Sequence, residues 1–307
     1  HKSFVRLNYF LGKEKTFQSW YGTPESRVSG SLTEMQSYID RNYLSKMEAE
    51  NLLKSGRTYN YYTYSNQTDN YAQDHLQLLT NHRISTSWNL DLNAHYTYGR
   101  GYYEEFKPEA KLKSYGIVSK IVTDLVRQKW LDNDFYGTTF SANYESEKVD
   151  LFLGGGINKY EGDHFGNVIW ARFASQSELG DRYYDDVATK TDGNLYSKIN
   201  YQATARLNLF GDVQIRNVHY RANAIETGLV NDSFTFFNPK AGLNYTVNSN
   251  SNLYFSFARA NREPNRSDYI GGNVRPEQLN DYELGWRFVS NKFQLNSNLY
   301  YMAYRDQ

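Results

Sequence analysis

Strict alternation of apolar and polar side chains near the end of the sequence is the feature that most constrains what this chain can fold into. Over residues 281–290, Tyr282, Leu284, Trp286 and Phe288 take even positions, whereas Glu283, Gly285 and Arg287 take odd positions. A period of two residues predicts a β-strand with one apolar and one polar face. A second alternating run follows a turn expected at 291–292, so the two runs predict a β-hairpin.

The same alternation recurs along the whole chain and predicts about eleven strands. Short turns are expected at Ser87, 146–148, Asn208, 248–252 and 291–292. They alternate with long polar connections, which are expected at 19–70, 107–134, 161–192, 221–233 and 263–280. Short turns that alternate with long loops are typical of outer-membrane β-barrels, whose spanning strands need only about 9–11 residues. The sequence therefore predicts an all-β fold, a transmembrane antiparallel up-and-down barrel.

The strand count and the absence of linkers bear on domain organisation. No stretch rich in Pro, Gly and Ser divides the 307 residues, so residues 1–307 are expected to form a single barrel domain. Bacterial single-chain barrels have an even number of strands, and eleven strands therefore predict part of a larger barrel. Because such barrels place short turns in the periplasm, the long connections are expected to be extracellular.

Composition and charge narrow the class of protein. Aromatic residues make up 17% of the chain, the mean hydropathy is −0.76 and the formal net charge is zero. No stretch approaches the roughly 18–20 consecutive apolar residues of a membrane-spanning helix, and a neutral chain is poorly suited to neutralising nucleic-acid phosphates. Without cysteine, no disulfide or thiolate chemistry is available. Abundant rings suit a barrel with aromatic side chains at both membrane interfaces.

A soluble all-β protein is the competing interpretation of the same alternation. In such a protein Leu243, Leu253, Leu284 and Leu295 would pack against a second sheet. In a membrane barrel the same four leucines would face lipid.

The first long connection also carries helix signals. Overlapping capping boxes begin at Ser31 and Thr33, and apolar residues follow at steps of four. They predict one helix over residues 32–55, ended by Gly56. A second, short helix is expected over residues 116–129.

Several strings give the chain a resemblance to a known family. These are FFNPKAGLNY, NLYFSFARANREPNRSDY and RPEQLNDYELGWRF, with HYTYGRGYYEEFK and INKYEGDHFGNVIWA upstream. The chain resembles TonB-dependent outer-membrane receptors, in particular the ferric-siderophore and cobalamin branch found in Bacteroidetes-type bacteria. The resemblance implies a barrel of about 22 strands around an N-terminal plug that is absent from this chain. Arg262, Glu263 and Pro264 match a family motif near the extracellular rim, where the implied role is structural.

The resemblance also implies a function. The parent is expected to sit in the bacterial outer membrane, to capture a scarce ligand such as a ferric siderophore, haem or cobalamin, and to import it with energy from the TonB complex, which acts through the missing plug. Outer-membrane lipid and a small-molecule metal chelate or vitamin are the other expected partners. Nucleic acid, a cofactor and enzymatic activity are not expected. A glycan importer of the same superfamily, a passive porin and a surface-binding barrel remain alternatives.

Aromatic and arginine side chains in the long connections are the candidate ligand contacts. Rings offer a large contact area at low entropic cost, and arginine recognises carboxylate or catecholate oxygens. The candidates are Trp20, Tyr21, Tyr59, Tyr61, Tyr62, Tyr64, Arg182, Tyr183 and Tyr184. The alternative is that these side chains only pack the loops against one another.

An acidic cluster in the third long connection is a candidate calcium site. Glu178, Asp181, Asp185 and Asp186 supply hard oxygen ligands at close spacing. No EF-hand pattern accompanies them, so a solvated loop is the alternative.

Overall fold

The computed structural model describes residues 2–117, 120–173, 178–272 and 274–306. Eleven strands form one antiparallel sheet in which each strand pairs with its neighbours in sequence. The strands are β1 (Ser3–Phe17), β2 (Thr68–Arg83), β3 (Trp88–Lys111), β4 (Val122–Glu145), β5 (Val149–Ala171), β6 (Arg182–Thr204), β7 (Leu207–Ala224), β8 (Gly228–Asn248), β9 (Ser251–Arg262), β10 (Glu277–Val289) and β11 (Gln294–Arg305). The predicted all-β, up-and-down fold with eleven strands is confirmed, and the described residues contain no plug domain.

One face of the sheet, called the outer face below, carries an apolar band. Leu243, Leu253, Leu284 and Leu295 lie on it and are 40–52% exposed, and the described residues form no second sheet that could cover them. This arrangement contradicts the soluble interpretation. The leucines take the positions that lipid covers in a membrane barrel.

Strand β3 shows how long the apolar stretch of one strand is. On β3 the outer face is largely apolar from Trp88 to Tyr96 and becomes charged at Arg100, which pairs with Asp74 of β2 at 2.9 Å. The apolar stretch of β3 is therefore about nine residues long, as a tilted spanning strand requires. Its two ends carry rings, such as the Trp88–Tyr144 pair at 5.1 Å near the short turns.

Strands β3 to β6 extend well beyond this band, and here the predicted boundaries are wrong. The connections expected over 107–134 and 161–192 shrink to 112–121 and 172–181, because the intervening residues continue the strands. Beyond the band, toward the long connections, the outer face does not contact lipid and does not need apolar side chains. The alternation that marks a strand in the sequence is therefore lost there. The helix expected over 116–129 is wrong for the same reason, since β4 begins at Val122; residues 118–119 lie outside the described residues.

Other boundaries shift by a few residues. The connection expected over 221–233 is only 225–227, and the one expected over 263–280 ends at 276 and contains the short helix α4 (Arg266–Gly271). The turn expected at Asn208 lies at 205–206, and the turn expected at 248–252 lies at 249–250.

The first long connection holds three helices, α1 (Glu25–Ser29), α2 (Leu32–Asn42) and α3 (Lys46–Lys54). The single helix predicted over 32–55 is split, because Tyr43 adopts a left-handed conformation with φ 52° and Ser45 starts α3 with its own capping box. Ser31 caps α2 as predicted, since its hydroxyl accepts a hydrogen bond from the Glu34 amide. Buried Met35, Ile39 and Leu52 form the core of this helical module. None of the described helices is long and apolar enough to cross a membrane.

Candidate ligand-binding site

A cavity of about 580 Å³ opens on the inner face, opposite the apolar band, where β2 to β6 project beyond it. Two cross-strand rows of the sheet form its floor. The first row runs Asp69, Tyr103, Lys129, Gly166 and Tyr184, and the second runs Tyr71, Gly101, Leu131, His164 and Asp186. Each row takes one residue from each of five strands, so strand register alone brings together side chains that are far apart in the sequence.

Glycine at position 166 shapes this floor. A Cβ atom there would overlap the rings of Tyr183 and Tyr184. These neighbours both reach inward because the register between β5 and β6 shifts beside Gly166. Their ring centres lie 5.0 Å apart. A side chain at Gly166 would therefore displace the aromatic wall of the cavity.

Three cations line the cavity in different ways. Arg127 donates to Glu105 at 2.6 and 2.8 Å, and Arg266 lies 3.3 Å from Glu226 and 3.5 Å from Asp186. Lys129 instead lies between two tyrosine rings, with Nζ 5.9 Å from the centre of Tyr103 and 5.7 Å from that of Tyr184. Cations over aromatic faces are stabilised by the ring quadrupole.

Burial shifts the pKa values of several side chains that line the cavity. It raises the pKa of Tyr103 and of Tyr184 to about 12, so both phenols are neutral hydrogen-bond donors at physiological pH. Burial and then the Arg127 charge lower the pKa of Lys129. Burial and the nearby Arg266 lower the pKa of His164, which favours its neutral imidazole.

An aromatic cluster from the first long connection continues this wall outward. Trp20, Tyr21, Tyr61 and Tyr62 contact one another with ring centres 4.7–6.2 Å apart. Trp20 also meets Tyr103 of the cavity edge-on at 5.1 Å. The cluster remains open to solvent, with Trp20 55% and Tyr21 60% exposed. With Tyr183 and Tyr184 of the cavity wall, these four residues make up six of the nine ring and arginine candidates. Together they form an aromatic surface that leads into the cavity.

The other three candidates lie elsewhere. Tyr59 packs against the core of the helical module. The Tyr64 hydroxyl donates to buried Glu104 at 2.7 Å. Arg182 lies 3.6 Å above the Phe165 ring, on the outer face of β5, and pairs with Asp185 at 2.9 Å. These three side chains make packing and ion-pair contacts, and a role for them in ligand binding stays a prediction.

Sequence reasoning missed several residues that line the cavity, including Tyr103, Arg127 and Lys129. Arg127 and Lys129 lie in a segment that was expected to be a loop or helix. The signal that could have found them is the alternation of side chains along β4. Tyr136 and Phe140 have even numbers and lie on the outer face. Arg127 and Lys129 have odd numbers and therefore lie on the inner face.

The acidic candidates for calcium bind different partners. Asp181 accepts a hydrogen bond from the Glu178 amide at 3.0 Å, Asp185 pairs with Arg182, and Asp186 faces the cavity, where it accepts from the Ile225 amide at 3.1 Å. Among the described residues, no group of three or more His, Cys, Asp or Glu side chains is placed to hold a metal ion.

Beside the site, Glu263 joins three strands through a charged network. It is 8% exposed and accepts hydrogen bonds from Lys190 of β6 and Arg216 of β7, while Arg216 also binds Asp192. Burial alone would raise the pKa of Glu263, but the hydrogen bonds from Arg216 and Lys190 outweigh it and lower the pKa to about 2. These contacts hold the start of the β9–β10 connection, and with it α4 and Arg266, against the inner face.

A single antiparallel sheet with an apolar outer band and a polar inner cavity defines the chain as part of a transmembrane β-barrel. The family model described as TonB dependent receptor-like, beta-barrel, matches residues 14–307. The chain belongs to this family. No curated protein sequence matches it.

Solved structures agree on the fold. The ferric-catecholate import receptor Fiu from K12 E. coli, in its closed form, superimposes with a TM-score of 0.62 and 14% identity over 98% of this chain and 49% of that one. The copper transporter OprC gives 0.60 and 14%, over 76% of this chain and 39% of that one. The siderophore receptor PiuA from Acinetobacter baumannii gives 0.55 and 14%, over 76% and 40%. The chain thus spans half or less of the length of these proteins.

Proposed function

We propose that the complete protein is an active transporter of the bacterial outer membrane that captures a ferric siderophore at the cell surface. The observation that carries this proposal is the inner-face cavity, in which tyrosine rings alternate with cationic side chains. Siderophores present oxygen-rich and often aromatic groups around iron, and rings with ammonium or guanidinium groups complement both features.

Several further observations support the proposal. The cavity lies at the end of the sheet that bears the long connections, where a barrel meets the medium. The exposed aromatic cluster around Trp20 leads into it. Two of the structurally similar proteins are named as a ferric-catecholate import receptor and a siderophore receptor.

Active transport also requires energy, and we propose that it comes from the TonB complex acting through a plug domain. A growth assay tests this step. A strain that lacks the gene for the complete protein is expected to grow poorly when iron is supplied only as a ferric siderophore, and the reintroduced gene restores growth. Deletion of the TonB system abolishes that restoration. Restored growth without the TonB system would contradict active transport and favour a passive porin.

A glycan importer of the same superfamily is the second candidate, and the exposed aromatic cluster favours it. Trp20 and Tyr21 are more than half exposed, and flat rings at a surface also suit the apolar faces of sugars. The same deletion strain, grown on an oligosaccharide with free iron, distinguishes the two. If growth depends on the gene with the oligosaccharide but not with the ferric siderophore, the glycan importer becomes the better proposal. Haem and cobalamin are tested in parallel, as the sole source of iron and of the vitamin respectively.

A further inference from the structure

Lys129 differs from the other two cations of the cavity in that no carboxylate of the described residues lies within ion-pair distance of its ammonium; Glu105 and Glu226 act on it only from farther away. Its ammonium contacts the rings of Tyr103 and Tyr184, whereas the arginines are each held by carboxylates within 3.5 Å. A half-buried ammonium without a direct ion-pair partner carries a desolvation cost. Such a charge in a cavity favours a role in binding an anion.

The Tyr183 hydroxyl is a second, independent observation. This oxygen is buried and has no hydrogen-bond partner among the described residues, although the ring packs against Tyr115 at 4.8 Å and Tyr184 at 5.0 Å. Burial raises the pKa of this phenol, so it remains a donor. An unpaired buried donor carries a desolvation cost, which a ligand oxygen that enters beside the ring would recover.

We infer that Lys129 and the Tyr183 hydroxyl select an anionic ligand that carries aromatic rings, in the chemical class of ferric catecholates. The negative oxygens of such a chelate would neutralise the ammonium and accept from the phenol, and its rings would pack on Tyr103 and Tyr184. The inference rests on the proposed function, since it names the subclass of siderophore. A neutral chelate would leave the ammonium without a direct ion-pair partner.

The chain offers a matched control for Lys129. Lys198 of β6 lies on the same face near the short turns, with Nζ 5.6 Å from the rings of both Phe152 and Phe210. It shares the two-ring environment but lies outside the cavity. Lys198→Met therefore removes a comparable ammonium without touching the proposed site.

The experiment measures binding to the purified complete receptor by quenching of tryptophan fluorescence. The two probes are an anionic ferric tris-catecholate made from 2,3-dihydroxybenzoate and a neutral ferric trihydroxamate. Lys129→Met is expected to weaken binding of the anionic probe at least about tenfold, because a desolvated ion pair is lost, and Lys129→Arg to weaken it by no more than about threefold. Tyr183→Phe weakens the same probe by about fivefold. Lys198→Met binds like wild type.

Three outcomes would overturn the inference, and they can be told apart. If wild type binds the anionic probe and Lys129→Met binds it equally well, selection by Lys129 is wrong while siderophore capture stands. If wild type binds neither ferric probe, the proposed function fails and the inference falls with it. Equal weakening of both probes by Lys129→Met would show a role in packing rather than in charge recognition.

Discussion

Glu263 shows how one residue of the family motif holds the candidate site together. It lies in the β9–β10 connection, yet its carboxylate reaches the inner face and binds Lys190 and Arg216 of two other strands. Buried charges are retained at low cost only when all partners are in place, because breaking one bond leaves an unpaired ion. The structural role that the resemblance implied for this motif therefore has a physical basis in these contacts.

The network predicts a pH dependence of stability with a definite sign. The folded pKa of Glu263 is about 2, below its usual value of 4.5, so its contribution is fully present above about pH 4.5 and is lost as the pH falls toward 2. At pH 7 the contribution is on the order of 3 kcal/mol. Glu263→Gln should lower the free energy of unfolding by about that amount at pH 7 and by much less at pH 2. Urea unfolding of the complete receptor in detergent at both pH values measures this.

Glu147 serves as the control, because it is an exposed carboxylate in the turn between β4 and β5. Glu147→Gln is expected to change stability by less than about 0.5 kcal/mol at either pH. An equal loss of stability for Glu263→Gln at pH 7 and at pH 2 would show that the charge of Glu263 does not act as described.

At the scale of single residues, the aromatic side chains of the candidate site were easier to predict from the sequence than its charged side chains. Trp20 and Tyr62 stood out because rings are concentrated in long loops, and Tyr183 and Tyr184 for the same reason. Lys129 carries no such signal. Its importance comes from two neighbouring strands that place Tyr103 and Tyr184 beside it, and this register depends on partners outside any local stretch of sequence.

At the level of elements, local signals competed in the helical module. Met35, Ile39, Tyr43 and Met47 are spaced as one continuous helix would require, and that pattern suggested a single helix. A second start signal, Ser45, interrupts the run, and its capping box stabilises a new helix start by satisfying otherwise unpaired amides. The chain therefore turns between α2 and α3 and folds the two helices onto a shared core.

The core of the helical module predicts the effect of a substitution that removes a buried side chain from it. Leu52 is fully buried between α2 and α3, and the helices pack mainly against one another rather than against the strands. Leu52→Ala should cost about 2–5 kcal/mol of local stability. Amide hydrogen exchange is expected to accelerate over residues 32–54 and to stay unchanged in β3 to β6.

Met47→Ala on α3 is the matched control, since Met47 is 64% exposed. It should leave exchange in the module nearly unchanged. Acceleration in β3 to β6 after Leu52→Ala would mean that the module and the sheet unfold as one unit, contrary to the packing seen here.

For the whole molecule, the order of the strands was the most predictable property. Short turns favour pairing of the strands that they join, and the up-and-down pattern extends this order to the pairs joined by long connections; the structure has the eleven strands in chain order. Strand length was less predictable. Membrane imposes alternation on only about 9–11 residues of each strand, and the water-exposed halves of β3 to β6, which carry the candidate site, have no such constraint on their sequence.

Orientation across the membrane is the remaining property of the whole molecule, and it yields the last prediction. Long connections in bacterial barrels face the medium and short turns face the periplasm. These 307 residues contain no cysteine, so within them one introduced cysteine reports a single place, and the unsubstituted complete protein gives the background labelling. With a thiol-reactive biotin reagent that cannot cross the membrane, intact cells should label Ser65→Cys, which is exposed in the first long connection, and not Ser249→Cys, which is exposed in the β8–β9 turn. In cells with a permeabilised outer membrane both should be labelled, which controls for reactivity. Labelling of Ser249→Cys alone in intact cells would reverse the orientation and place the aromatic cluster and the cavity on the periplasmic side, where neither could capture a ligand from the medium.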